Sequence, residues 1–268
     1  MTNRRAQKPI VLPPLLGASV VVTRPAAAAG PFKRRIGALG GNTLVLPGIA
    51  IRRVAEADAA RAALRDARTT DIAIFVSPNA VRHAFDLLPR LRFSRTTRVC
   101  AVGRATALAL ARHGMRDVVW PIERQDSEGL LTLPALQDVS RRRVVSIGAA
   151  GGRDLIATTL RARGATLQSI HVYRRAAPRW SRRHFDALDR AASPILTLLS
   201  SAQALACLAA DLPAALFAKL AAGDGIVSSL RLAEAARAAG FVRTHVAASP
   251  NADAMLATAV TALAQHRL

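Results

Sequence analysis

The chain has 268 residues, of which 51% are hydrophobic, so it is long enough for one large or two small domains and too apolar to be disordered. Aromatic residues make up only 4%, and the many alanines favour helices packed on sheets over an all-β fold. The formal charge of +21 is carried almost entirely by arginine, which attracts carboxylates and phosphates, although a compositional preference for arginine over lysine explains much of it.

The first 16 residues are basic and interrupted by prolines, and their apolar stretch is too short for a signal peptide or a membrane anchor. We therefore expect residues 1–16 to be a flexible tail on a soluble, cytoplasmic protein. Cys100 and Cys207 lie far apart and lack the spacing of metal ligands, so the sequence predicts neither a disulfide nor a metal site. Cys100 ends an apolar run and is expected in the core.

Short apolar runs alternate with amphipathic, alanine-rich segments along the rest of the chain. The predicted strands are 19–22, 43–46, 72–76, 99–102, 117–119, 144–147, 166–172, 195–199, 225–227 and 244–247. The predicted helices include 26–39, 79–88, 105–113, 128–137, 154–162, 203–210, 231–239 and 252–264. This alternation predicts an α/β fold with parallel sheets and helices on both faces.

The chain also repeats itself at a nearly constant spacing. The matched positions, at offsets of 124, 123 and 125 residues, are Gly40 with Gly164, Ser77 with Ser200, and Gly103 with Ser228. These matches predict a duplicated α/β half, and two similar lobes would form a ligand-binding cleft. Residues 47–54 and 170–178 are the candidate crossovers between the lobes.

Polar and small residues follow most of the predicted strands. In open parallel sheets, ligands bind at these carboxyl ends, where loops lead into helix N-termini that favour anions. Ser77 fits an N-cap with Pro78 in the first helical turn, and capping is the favoured explanation, although Ser77 and Asn79 would then also lie at a ligand site. The other candidates for substrate binding at such junctions are Gly103, Thr106, Gly148, Ser200, Ser201 and Ser228.

Three further segments carry groups that a ligand could use. Residues 148–153 form a glycine-rich loop with neither the Walker A nor the dinucleotide pattern, so simple chain reversal and an anion cradle are both open. Arg24 follows the first strand, where it would either hold a carboxylate with both arms or be solvated. Tyr173, the only tyrosine, lies at a predicted crossover, where its phenol would either donate a proton or pack as a linker residue.

No familiar catalytic motif occurs in the sequence. The six histidines are scattered, and there is no nucleophile elbow, paired-carboxylate motif or metal-binding helix pattern. The pair Ser127–Glu128 has the composition of a helix start, for which capping is the simplest explanation. The chain is therefore interpreted as a protein that positions its substrate rather than as an acid–base catalyst.

In their order and spacing, these segments resemble the uroporphyrinogen-III synthase family. The matching segments are 21–25, 74–81, 101–107, 127–131, 152–155, 164–165, 172–175 and 199–201, within a resemblance that runs from about residue 18 to the C-terminus. The family fold is two Rossmann-like lobes joined by a two-stranded connector. Carried over, lobe one is 17–48 with 175–268, lobe two is 53–170, and the connectors are near 47–53 and 171–176.

The resemblance also implies a function. Members of the family are monomeric lyases that need no metal or cofactor and act in haem biosynthesis. Their substrate is hydroxymethylbilane, a linear tetrapyrrole rich in carboxylates, which loses water and closes with its terminal pyrrole inverted. Tyr173 matches the family tyrosine that assists loss of the hydroxyl group.

Two other functions stay open from the sequence. A nucleic-acid-binding protein is favoured by the charge, but the arginines are dispersed and stacking aromatics are few, so no specific nucleic acid is expected. A two-lobed binding protein for an anionic small molecule, without chemistry, is the second alternative. No membrane partner is expected.

Overall fold

The computed structural model describes residues 12–151 and 154–266 and divides the chain into two compact units. Unit one combines the chain up to Ala50 with the chain from Ala176 onward, and unit two is Ile51–Arg175. The family resemblance implies 53–170 for lobe two, which is shorter at both ends than unit two.

Both units are built from alternating strands and helices. Among the described residues the strands are β1 (Ser19–Val22), β2 (Asn42–Val45), β3 (Ala50–Arg53), β4 (Ile72–Phe75), β5 (Arg98–Ala101), β6 (Val118–Val119), β7 (Arg143–Ala149), β8 (Thr166–Ala176), β9 (Ile195–Leu199), β10 (Asp224–Val227) and β11 (Arg243–Val246). The helices are α1 (Gly30–Ala38), α2 (Ala57–Asp66), α3 (Pro78–Leu87), α4 (Arg104–Arg112), α5 (Ser127–Leu131), α6 (Leu155–Ala162), α7 (Arg182–Asp189), α8 (Ala202–Asp211), α9 (Ala214–Ala222), α10 (Leu230–Ala238) and α11 (Ala252–Gln265). Short 3₁₀ turns lie at Ala26–Ala28, Ala67–Thr69 and Pro134–Leu136.

Each unit contains one sheet. The strand order in unit one is β11-β10-β9-β1-β2, and all of its pairs are parallel. The order in unit two is β3-β8-β7-β4-β5-β6, and the pairs from β8 to β6 are parallel. The chain passes from unit one to unit two in β3 and returns at the end of β8, and these two strands are neighbours at one edge of the second sheet.

The two sheets share strand order and register, as the predicted duplication requires. Two pairs of partners in unit one correspond to two in unit two after a shift of 124 residues, obtained by subtraction: Ser19–Asn42 with Arg143–Thr166, and Val20–Leu196 with Val144–Ile72. The helix-to-strand turns at Gly40 and Gly164 also match, with φ angles of +77° and +84°. A side chain would strain both turns, which explains the glycine at each position.

Each sheet is apolar on both faces, as expected for parallel strands covered by helices. In β1 of unit one, Val20 and Val22 face the core that contains α1 and α11, whereas Val21 faces the core that contains α8 to α10. In β4 of unit two, Phe75 and Ile74 divide in the same way between two cores. The predicted α/β class with helices on both faces is therefore confirmed.

Some predicted elements differ from those observed. The segment 128–137 is not one helix, because Pro134 cannot continue it, and it forms α5 followed by a 3₁₀ turn. Asp126, not Ser127, is the N-cap of α5, and its carboxylate accepts a hydrogen bond from the Gly129 amide at 2.8 Å. The helices α2, α7 and α9 were not among those predicted.

The predicted flexible tail, residues 1–16, includes residues that are packed in unit one. Residues 1–11 lie outside the described residues. Leu15 is fully buried and packs in the core of unit one, and its amide donates to the Leu39 carbonyl at 2.8 Å. Ordered packing therefore begins before residue 16, because Leu15 removes a large apolar side chain from water.

Candidate functional site

Ser77 lies where β4 ends and α3 begins. Its Oγ accepts a hydrogen bond from the Ala80 amide at 3.0 Å, and Pro78 is the first residue of the helix, so the predicted cap is confirmed. Ser77 and Asn79 are both half-buried. They occupy the carboxyl edge of the sheet in unit two, at the N-terminus of a helix that carries a partial positive charge.

A β-bulge in β8 turns Tyr173 towards Ser77. Consecutive residues of β7 pair with His171 and Tyr173, so Val172 is an extra residue in the ladder. Because the bulge interrupts the alternation of the strand, Val172 and Tyr173 both contribute to the same core. The Tyr173 hydroxyl lies 3.1 Å from Ser77 Oγ, while the residue as a whole is only 3% exposed.

His83 also contacts Tyr173 and was not predicted to belong to this site. It lies in α3, is 7% exposed, and stacks on the Tyr173 ring with the centroids 5.5 Å apart and the planes at 25°. Burial, followed by the positive charges of Arg82 and Arg53, lowers the pKa of His83, although Asp86 acts in the opposite direction. From the sequence, His83 lies in the predicted helix that Ser77 caps, which does not reveal a contact with a distant strand.

Gly148 is a buried residue of β7, so its predicted place in a strand-to-helix loop at 148–153 is wrong. The strand continues to Ala149. A Cβ at Gly148 would lie 2.5 Å from Val76 Cγ2, so the glycine allows β7 to approach the end of β4 closely. Residues 152 and 153 lie outside the described residues.

The N-terminus of α4 is capped by a glutamine that the sequence did not predict. The Arg104 amide donates to Gln125 Oε1 at 3.0 Å. A Cβ at Gly103, the N-cap residue, would lie 2.8 Å from Gln125 Cβ, so the glycine makes room for this side chain. Thr106 is only 1% exposed and lies inside the first turn of the helix.

In unit one, serines cap the two helices that follow β9 and β10. The Oγ atoms of Ser201 and Ser229 each accept a hydrogen bond from the amide three residues on, at 3.3 Å. Ser200 and Ser228 precede these caps and are half-buried. Because β9 and β10 are parallel neighbours, all four serines lie at the carboxyl edge of the sheet in unit one.

The register corrects two of the predicted repeat matches. Ser77 corresponds to Ser201 at an offset of 124, the offset that relates Ile72–Val144 to Val20–Leu196. Gly103 corresponds to Ser229 at an offset of 126, the offset that relates Val99–Val118 to Gly225–Thr244. The predicted matches, Ser200 and Ser228, are each one residue too early, because the sequence comparison did not fix the lengths of the preceding loops.

Arg24 follows β1 and is held within unit one. Its guanidinium donates a hydrogen bond to the Pro250 carbonyl and lies 5.2 Å from the centroid of the Phe32 ring. Burial lowers the pKa of Arg24. The side chain is therefore partly desolvated and fixed beside the carboxyl edge. Its remaining N–H groups could donate hydrogen bonds to a carboxylate.

A second polar cluster lies at the opposite end of the sheet in unit one. Asp224, at the start of β10, is 1% exposed and accepts hydrogen bonds from Arg243 Nε at 3.0 Å, His245 Nε2 at 2.9 Å and His266 Nε2 at 2.6 Å. Asp224, Arg243 and His266 line a cavity of about 400 Å³ together with Lys219. The cluster connects β10, β11 and the end of α11.

Neither a metal site nor a membrane-spanning helix occurs in the described residues. In 12–151 and 154–266, no three His, Cys, Asp or Glu side chains are placed to hold a metal ion. No helix of these segments is both long and apolar enough to cross a bilayer. Cys100 is fully buried, as predicted, and burial raises the pKa of its thiol to about 12.

The fold and these edges define a duplicated α/β protein with two similar sets of capped helix N-termini, an arrangement that suits anionic ligands. A family model described as uroporphyrinogen-III synthase HemD matches residues 30–257. The uroporphyrinogen-III synthase of Escherichia coli strain K12 is 30% identical over 251 residues, which cover 89% of this chain and 98% of that protein. The chain therefore belongs to the uroporphyrinogen-III synthase family.

Other relatives agree with this assignment. The uroporphyrinogen-III synthase of Salmonella typhimurium strain LT2 is 33% identical over 175 residues, or 65% of this chain and 69% of that one. A mutant uroporphyrinogen III synthase of the extreme thermophile Thermus thermophilus superposes with a TM-score of 0.59 at 20% identity, covering 92% of this chain and 99% of that one. The uroporphyrinogen-III synthetase of Helicobacter pylori 26695 gives 0.60 at 16% identity, covering 91% and 99%. At these identities, the structural likeness shows the fold.

Proposed function

We propose that this chain acts as a monomeric, cytoplasmic lyase that converts hydroxymethylbilane into uroporphyrinogen III, the reaction of its family. The hydroxyl group of the substrate leaves as water, and the resulting azafulvene cation is attacked by the terminal pyrrole through its substituted carbon. The spiro intermediate fragments and recloses with that pyrrole inverted. Family membership supports the reaction, and the residues below are our assignment of roles within it.

We assign binding of the substrate's carboxylates to the helix N-termini at the carboxyl edges of the two sheets. In unit two, we assign their recognition to Ser77, Asn79 and Gly103, at the N-termini of α3 and α4, and only a supporting role to Thr106, because it is 1% exposed. Gly148 supports this edge through its packing against Val76 rather than by direct contact. Backbone amides and helix dipoles at such positions stabilise anions without adding a titratable group.

In unit one, the corresponding assignment is to Ser200, Ser201 and Ser228, at the starts of α8 and α10, with Arg24 beside them. Arg24 is the one cation of this set, and its contacts with Pro250 and Phe32 restrict its side chain before a ligand arrives. A restricted guanidinium loses less conformational entropy when it binds a carboxylate, so it contributes more to affinity than a freely moving one.

The Ser77–Tyr173 hydrogen bond is the observation that carries the catalytic assignment. Ser77 Oγ already accepts the Ala80 amide, so its own proton can be donated to the Tyr173 oxygen at 3.1 Å. In that arrangement the Tyr173 proton is free to be donated to the departing hydroxyl group. General-acid assistance of this kind contributes about 10²–10⁴-fold in rate.

The remaining task is geometric, since the substituted carbon must react in preference to the unsubstituted one. Holding the two ends of the substrate in a near-attack arrangement contributes roughly 7–11 kcal/mol in the best model systems. Helix N-termini are suited to this because the helix holds their amides in fixed positions.

The test is turnover of freshly prepared hydroxymethylbilane, with the product isomers separated because spontaneous closure gives the isomer without inversion. We expect the wild-type chain to form the inverted isomer and Tyr173→Phe to form it at least about a hundredfold more slowly with an unchanged circular dichroism spectrum, the lower bound for loss of a general acid. Formation of the non-inverted isomer alone would identify a binding protein without chemistry.

A pair of cap variants tests the role of Ser77. Ser77→Ala and Ser181→Ala each remove an N-cap serine, the second at α7, where Ser181 Oγ lies 3.0 Å from His184 Nδ1. Loss of the Ser77 cap bond is expected to cost about 1 kcal/mol of stability. Only Ser77→Ala also removes a contact with Tyr173, so only this variant should lower kcat. Equal kcat values for the two variants would remove the assignment of Ser77 as the partner of the phenol.

A further inference from the structure

We propose that His83 is a positioning residue that holds the Tyr173 phenol against Ser77 while its imidazole is neutral and releases the phenol when the imidazole is protonated. The contact is a feature of unit two alone. Its catalytic consequence rests on the function proposed above.

The geometry gives Tyr173 two supports on one helix. At one end its hydroxyl is 3.1 Å from Ser77 Oγ, the N-cap of α3, and along its face the ring stacks on His83 in the second turn of the same helix. The bulge at Val172 supplies the turn of the backbone that brings the ring there. Ser77 contacts only the oxygen, whereas His83 packs along the face of the ring and contributes to its tilt within the core.

The neutral form of His83 is specified by its neighbours. Arg82 Nη2 lies 3.0 Å from His83 Nε2, and a guanidinium can only donate, so Nε2 must be the accepting nitrogen. The ring proton is then on Nδ1, which lies 3.6 Å from Asp86 Oδ2, beyond hydrogen-bond distance. The stack on Tyr173 therefore forms with an uncharged ring.

Protonation disrupts this arrangement. A proton on Nε2 would face the N–H group of Arg82, so the hydrogen bond is lost and two positive groups are left in contact. Arg53 of β3 adds repulsion, and only Asp86, whose side chain is 53% exposed, favours the charged ring. Burial and these arginines lower the pKa of His83, so the neutral ring dominates at neutral pH and the charged ring appears only in more acidic solution.

The first test follows Tyr173 directly, without activity. Tyr173 is the only tyrosine of the chain, so the protein grown with isotope-labelled tyrosine gives one set of ring signals in its NMR spectrum. In the wild type, we expect these signals to move as the pH falls through the lowered pKa of His83. In His83→Phe, which keeps an aromatic ring but cannot titrate, they should stay fixed; signals that move equally in both proteins would overturn the proposal.

The matched control is His113→Phe. His113 also stacks on an aromatic ring, that of Phe85, with centroids 3.9 Å apart and planes at 8°, and it belongs to the same unit. It is exposed and has no part in the assigned site. The Tyr173 signals of this variant should titrate as in the wild type, and a loss of the titration here would show that a general effect of removing a histidine had been mistaken for the contact.

The second test separates kcat from KM. His83→Leu removes the stacking ring, and kcat for the inverted isomer should fall between about twofold and about tenfold, the range of a lost aromatic pair, with KM unchanged. In the wild type, kcat should also fall as the pH drops through the lowered pKa of His83. His83→Phe should have a wild-type kcat at neutral pH and lack this fall in acid, because its ring cannot be protonated. A wild-type kcat in His83→Leu, or an acidic decline that persists in His83→Phe, would contradict the proposal.

The Tyr173→Phe background distinguishes this proposal from the function on which it rests. If the assigned role of Tyr173 is right, the effect of His83→Leu on kcat should shrink in that background, because the positioned hydroxyl is already absent. An undiminished effect means that His83 acts independently of Tyr173. A normal kcat for Tyr173→Phe alone would instead refute the catalytic role of the phenol, while the NMR titration would still decide whether His83 controls its position.

Discussion

Asp224 offers the sharpest test of how unit one is held together. Its carboxylate is 1% exposed and accepts hydrogen bonds from three cationic or ionisable groups, Arg243, His245 and His266. Burial alone would raise the pKa of Asp224, but the hydrogen bonds from the two histidines and Arg243 outweigh it and hold the pKa below its ordinary value. The cluster should therefore stabilise the fold most when Asp224 is ionised.

The perturbation is Asp224→Asn, which keeps the shape but replaces one accepting oxygen with a donor. His266 then loses its acceptor, and the other two bonds lose the negative charge that strengthens them. Each hydrogen bond to a charged group contributes about 1.5–3 kcal/mol. Because the three partner side chains are 46%, 23% and 31% exposed, water replaces part of each lost bond. We expect the free energy of unfolding to fall by about 2–3 kcal/mol in total.

The assay is urea unfolding at neutral pH, with Asp253→Asn as the control. Asp253 pairs with Arg35 at 2.7 Å on the surface of the same unit, with side chains 74% and 48% exposed, so its loss should cost less than about 1 kcal/mol. Since the pKa of Asp224 is lowered by folding, its stabilisation is present above about pH 4 and is lost as the pH falls through the lowered value. The reasoning would be refuted if both variants lost the same free energy of unfolding. It would also be refuted if the difference in stability between Asp224→Asn and the wild type stayed the same in acid.

Other contacts make further predictions. Gly148→Ala forces a Cβ into space filled by a valine methyl group and should destabilise unit two by about 1–3 kcal/mol in urea unfolding, whereas Gly37→Ala, which meets nothing within 4 Å inside α1, should be neutral or slightly stabilising. Gln125→Glu places a negative charge at the start of α4 and should raise KM for the anionic substrate by about two- to tenfold with kcat little changed. In the native protein, a thiol reagent should leave Cys100 unlabelled, because burial raises the pKa of its thiol to about 12, while half-buried Cys207 reacts slowly; both should react in denaturant. Labelling of Cys100 at the rate seen in denaturant would contradict its placement in the core.

The strands were the most predictable part of the fold. Ser19–Val22 and Ile195–Leu199 have the predicted bounds, because a parallel strand covered on both faces is a continuous apolar run that ends where polar residues begin. The unpredicted helix α7, Arg182–Asp189, is instead rich in charged residues and buries only Leu188. Its apolar signal is too weak to separate it from a loop, and packing decides its conformation.

The candidate site was predictable where it depends on local chemistry. The cap at Ser77 follows from a serine, a proline and a preceding apolar strand, all visible in the sequence. The contact between His83 and Tyr173 joins residues 90 positions apart, by subtraction, and depends on a bulge in β8. A bulge shifts the side chains by one residue without a compositional signal, so this contact could not be foreseen. The burial of Gly148 was missed because its neighbours in the sequence, Ala149 and Gly151, are typical of a loop.

The two carboxyl edges, which the duplication relates, share their serine caps but differ in the side chains beside them. The offset of 124 that relates Ser77 to Ser201 also relates His83 to Cys207, and Tyr173 is the only tyrosine of the chain. Unit one therefore keeps the serine cap but has neither the phenol nor the stacked imidazole. Under our assignment, the helix starts of both units receive carboxylates of the substrate, so the serine caps are needed in both. A single hydroxyl leaves the substrate, so one copy of the proton donor is sufficient, and its position in unit two alone is what our assignment of Tyr173 requires.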